Sequence, residues 1–180
     1  MPLKSAVPRN HSHRRQIECQ GYKREDGLWD IEGHLTDTKP YGFHSRERGQ
    51  VEAGTPVHDM WIRLTVDHTM RVVGAEAATD FSPYQVCGSV TPDFQRLVGL
   101  KIGPGWSRSV IKAMGGVRGC THLVELLRPI ATTAFQTIGA ANQKPASEYA
   151  KPPRYLNGCH ALATDGQVVE IEWPQFYKGR

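Results

Sequence analysis

The chain has 180 residues, a formal net charge of +4, 39% hydrophobic residues and 22% charged ones, the proportions of an ordinary globular protein with a sizeable core. No apolar run reaches the roughly 18 residues of a membrane helix, and the N-terminus lacks the apolar centre of a secretory signal. No membrane partner and a cytoplasmic location are therefore expected.

Part of the positive excess lies in Lys4, Arg9, Arg14 and Arg15. A basic arm without interleaved aromatics makes no nucleic-acid surface, so residues 1–15 read as a disordered, solubilising arm and 16–180 as a single domain. The four cysteines, Cys19, Cys87, Cys120 and Cys159, are far apart and form no CxxC pair. That spacing fits neither a disulfide framework nor a zinc ribbon, and no metal or other cofactor is expected.

From Gln16 the chain alternates, and Arg24-Glu25-Asp26-Gly27 supplies a turn, so 16–35 predicts a hairpin. Thr36 to Tyr41 gathers an acid, an amine and a phenol just past a strand end. His44 to Ala53 is a charged surface connection. Thr55 to Asp67 is the clearest strand, Asp67-His68-Thr69 turns, and Met70 to Ala77 runs back.

Short helices are predicted near Tyr84–Cys87 and after Pro92. Gly103-Pro104-Gly105 breaks the chain before a helix from Trp106 to Met114. Three glycines in Gly115–Gly119 then form a loop, and Thr121 is the predicted N-cap of a long helix carrying Leu123, Leu126, Leu127, Ile130, Ala134 and Ile138. Pro129 predicts a kink or a break there. Residues 140–154 read as a linker. Asp165-Gly166 between Tyr155–Ala161 and Val168–Trp173 predicts a hairpin. Sheet, then helices, then strands returning to the sheet make the fold class α+β, an antiparallel sheet of hairpins packed against a few helices.

The chemistry-bearing residues lie in loops and at element ends. His58 and His122 are candidate general bases, because imidazole titrates near neutral pH. Asp37 or Asp59 would orient an imidazole, and Asp67 is equally available. Neighbours on a strand point to opposite faces, so His58 and Asp59 share a pocket only if they lie in a loop. Cys120 and His122, two apart at a helix start, are not expected to face each other. Lys39, Tyr41 and Arg63 are candidates to meet a phenolate, and Tyr84 and Trp106 to line an aromatic pocket.

Taken together, Tyr22–Asp30, Leu35–Lys39, Pro56–Met60, Pro83-Tyr84 with Cys87, and Gly119–Leu123 resemble, in the same order, the bacterial domain-of-unknown-function family 2889. The similarity spans Gln16 to Ile138, with a weaker echo near Cys159 and Trp173. It implies a small bacterial protein of a kind associated with catabolism of aromatic compounds, and assigns no role to any residue. With the residue inventory, the expectation is a cofactor-independent lyase acting by acid/base chemistry on an aromatic small molecule. Retro-aldol release of a small aldehyde is the example. The alternatives are a metal- or sulfur-handling accessory protein using Cys87, Cys120, Cys159 and a His, or a binding module without turnover. Exposed hairpin edges also allow a homodimer.

Overall fold

The computed structural model describes residues 3–142 and 144–179. They divide into two compact units, 1–140 and 141–180.

The first unit is built on a four-stranded antiparallel meander. Strands β1 (Arg14–Lys23), β2 (Trp29–Thr38), β5 (Pro56–Val66) and β6 (Val72–Phe81) lie in the order β1-β2-β5-β6. The connection from β2 to β5 carries a small hairpin of β3 (Phe43–Ser45) and β4 (Gly49–Val51). The turn from β1 to β2 works as the sequence predicts. Gly27 adopts φ 84, Leu28 N–H bonds Asp26 Oδ1, and Arg24 N–H closes the turn on Leu28 O at 2.9 Å. Lys23 consequently faces Trp29, and the register runs back to Arg15 facing Asp37.

Alternation along the strands separates two faces. Ile31, Leu35, Met60, Ile62, Leu64 and Val66 point into the core and are at most 2% exposed. Helix α2 (Thr121–Ala141) covers that face with Leu123, Leu126, Leu127, Ile130, Ala134 and Ile138, a stripe at helical spacing. Two glycines set how closely it approaches. A Cβ at Gly33 would lie 2.7 Å from Ile130 Cδ1, and one at Gly21 would strike Thr137. Helix α1 (Trp106–Met114) adds Trp106, Val110 and Met114, with the Trp106 indole donating to Leu127 O at 3.1 Å. A 3₁₀ run over Gln85–Leu97 buries Phe94 and Leu97 and bonds Ala75 O through the Gln95 side chain.

Three expectations change. Pro129 does not end the helix: α2 continues as one element across it. Thr121 is the first helical residue, and Cys120 takes the cap position with its carbonyl accepting from Val124 N–H. The strands expected to return after residue 155 are absent. Val168–Trp173 lies mostly in α3 (Gln167–Glu172), Gly166 before it is extended rather than left-handed, and His160–Leu162 is a 3₁₀ turn. The α+β class stands on the meander and its helices. No described helix is long and apolar enough to cross a membrane.

Candidate functional site

Asp37 is the one buried charged or polar residue among those described, at 1% exposure. It sits near the C-terminal end of β2, where the register with β5 shifts between Asp37 and Thr38. Its cross-strand neighbours are Arg15 on β1 and His58 on β5, so three adjacent strands present three polar side chains in a row.

The carboxylate accepts four hydrogen bonds. Oδ1 takes Arg15 Nε at 2.9 Å and His13 Nε2 at 2.9 Å; Oδ2 takes Arg15 Nη2 at 2.8 Å and His58 Nδ1 at 3.0 Å. Burial pushes the Asp37 pKa up, but the bonds from Arg15 and His13 and the charge of Arg15 outweigh it. The group is held well below the ordinary carboxylate range. Arg15 also donates to Glu125 Oε2 at 2.6 Å, which ties the site to the first turns of α2.

His122, the second residue of α2, lies over His58 with ring centroids 3.8 Å apart and planes tilted by 33°. Burial lowers both imidazole pKa values. Next in order, His122 lowers that of His58, and Arg15 lowers that of His122. Both rings are therefore neutral at pH 7. An ionised carboxylate only accepts, so His58 carries its proton on Nδ1 and keeps a lone pair on Nε2. One atom each from Asp37, His58 and His122 lie within 4.8 Å of one another. No cysteine belongs to that group, the only such convergence among the described residues.

Cys120 departs from expectation. Its Sγ is 3.9 Å from His122 Nδ1 and 4.0 Å from Met60 Sδ. At the cap position its side chain is not bound by helical spacing, which is why two residues so close in sequence meet.

The other candidates lie elsewhere. Asp59 points to the opposite sheet face and bonds His34 Nε2 at 2.6 Å. Asp67 closes the β5–β6 turn by accepting from Thr69 and Arg71. Arg63 is on the open face between Glu32 (2.8 Å) and Glu76 (3.1 Å). Lys39 follows β2 and donates to Tyr41 Oη at 3.2 Å, holding that exposed phenol below its usual range. Tyr84 is exposed at the start of the 3₁₀ run, and Trp106 is 6% exposed in the core.

Sequence reasoning missed His13, Arg15 and Glu125. Arg15 was legible in principle. A turn that places Lys23 opposite Trp29 also places residue 15 opposite residue 37, but the polar start of β1 carries no apolar alternation to mark it as strand.

The family profile described as "Protein of unknown function (DUF2889)" matches residues 13–136. The chain belongs to this family. The DUF2889 match thus begins at His13 and runs through Arg15, Asp37, His58, His122 and Glu125, the whole of the cluster around the buried Asp37. No curated protein and no solved structure matches the chain.

Proposed function

We propose that the protein is a cofactor-independent enzyme that acts on an aromatic small molecule by acid/base lyase chemistry, with His58 as the general base. The observation that carries this reading is the Asp37–His58 bond. A buried carboxylate, ionised at neutral pH, fixes the His58 tautomer and leaves the Nε2 lone pair free, beside a second neutral imidazole.

In a retro-aldol cleavage, His58 Nε2 takes the proton of a substrate hydroxyl. The oxygen's electrons form the carbonyl of the departing aldehyde, and the carbon–carbon bond breaks. Its electron pair passes to an acceptor conjugated with the aromatic ring, and the proton on His58 returns to that fragment. His122, lying over His58, shields the base from water.

The test incubates metal-free protein with a phenolic dimer bearing a primary alcohol and traps released aldehyde. His58→Ala is expected to lose about 100-fold or more in turnover, the range for a positioned base. Unchanged turnover in the His58→Ala, His122→Ala double variant would remove both bases.

The 4.8 Å convergence of Asp37, His58 and His122 favours a second reading, a divalent metal centre. It requires Asp37 to give up one of its four donors. Stoichiometric zinc or iron in purified protein, lost in His58→Ala, would replace the acid/base reading.

A further inference from the structure

The sheet face opposite α2 holds a second cluster. On β2 and β5, His34 and Trp61 stack with centroids 3.5 Å apart and planes 5° from parallel. Asp59 bonds the His34 ring at 2.6 Å, and Asp80 Oδ2 accepts from the Trp61 indole at 3.1 Å. Each ring is thus held by a carboxylate, while Trp61 stays 40% exposed.

Beside this pair lies a hollow of about 290 Å³, lined by Glu18, Gln20, Tyr22, Glu32, Gly33, His34 and Trp61. Tyr22, 45% exposed, stands on β1 two register positions beyond Gln20. No lysine or arginine is among those lining residues. Arg63, bonded to Glu32 of the lining, is shared with Glu76 and so cannot neutralise both. Glu18, Glu32, Asp59, Glu76 and Asp80 gather around the His34–Trp61 pair, on a chain whose net charge is +4. An anionic hollow with indole and phenol walls is complementary to a cation with an apolar coat. Ring faces attract such a head, and the coat lowers the cost of leaving water.

We propose that the open-face hollow between Tyr22 and the His34–Trp61 stack binds a small organic cation of the alkylammonium class. The site lies on the reverse of the strands that carry Asp37 and His58, and its occupancy requires no turnover, so its success or failure is separate from that of the acid/base reading.

The experiment titrates the full chain with choline and with its uncharged carbon isostere 3,3-dimethylbutan-1-ol. The readout is the Trp61 indole N–H resonance, assigned by its loss in Trp61→Phe. A saturable shift with choline is expected, at least tenfold weaker with the alcohol. The double variant Glu18→Gln, Glu32→Gln, both on the solvent face, should weaken choline at least tenfold while thermal unfolding stays cooperative. No saturable shift, equal affinity for the two ligands, or an unaltered affinity in the double variant overturns the proposal. So does a self-associated protein whose face is covered by a second copy and takes up no choline.

Discussion

Replacing Asp37 by Asn tests the centre of the site directly. The amide keeps one accepting oxygen and turns the other position into a donor, which faces Arg15 together with either His13 or His58. At least two of the four hydrogen bonds are lost, and Arg15 loses its countercharge. Breaking a buried ion pair from one side costs about 3–5 kcal/mol. Here Arg15 is 32% and His13 44% exposed, so water recovers part of that, and about 2–3 kcal/mol is expected at pH 7. For a chain of this size the change lowers Tm by about 5–10 °C.

The pH dependence sharpens the test. The folded-state pKa of Asp37 is depressed, so its contribution is complete above the unfolded value of about 4 and is lost as pH falls below it. Asp37 also raises the pKa values of His58 and His122, so the gap between wild type and Asp37→Asn should widen as these titrate below about pH 6.5 and then shrink from about pH 4 to pH 2. Asp26 and Asp67, also depressed, act equally in both proteins and cancel in the difference. Thermal unfolding followed by circular dichroism across that range measures the gap. A loss below about 0.5 kcal/mol, the size of an ordinary surface change, or a gap that persists undiminished at pH 2, refutes the account of Asp37.

The remaining expectations concern the imidazoles and the packing. NMR titration should place His58 and His122 below the ordinary histidine value, and His122→Ala should move His58 upward, because it removes both a neighbouring charge and a covering ring. Depressed histidines stabilise the fold above about pH 6.5 and lose that contribution as pH falls; a His58 that titrates normally in wild type contradicts the burial argument. Gly33→Ala drives a methyl against Ile130 and Leu126 and should cost about 1–3 kcal/mol; Ile130→Val should return part of it in a denaturant melt. Trp106→Phe leaves the indole's bond to Leu127 O unmade and should cost about 1 kcal/mol in the same assay.

How far the sequence could be read depended on which signals were local. Asp26-Gly27 and the alternation of 56–66 depend only on neighbours, and the two hairpins followed from them, whereas the pairing of β2 with β5 that joins them is a long-range contact without a local signal. The apolar stripe of α2 was equally plain. The stretch from Val168 to Trp173 was ambiguous because its apolar residues fit two periods at once, and the helical one is adopted. In the site, His58, His122 and Asp37 were legible as residue types. Which carboxylate served which histidine was not, since that depends on strand face: Asp59 follows His58 in sequence yet bonds His34 behind the sheet. Arg15 and His13 were read as part of a charged arm because their partners are distant in sequence, Asp37 for both and Glu125 as well for Arg15.

Strands β2 and β5 carry unlike furniture on their two sides, with Asp37 and His58 inward and His34, Asp59 and Trp61 outward. A change in length within either strand would therefore exchange the two sides. One residue added to β5 ahead of His58 would turn Asp59, Trp61 and Arg63 toward the greasy interior and cast His58 out to water.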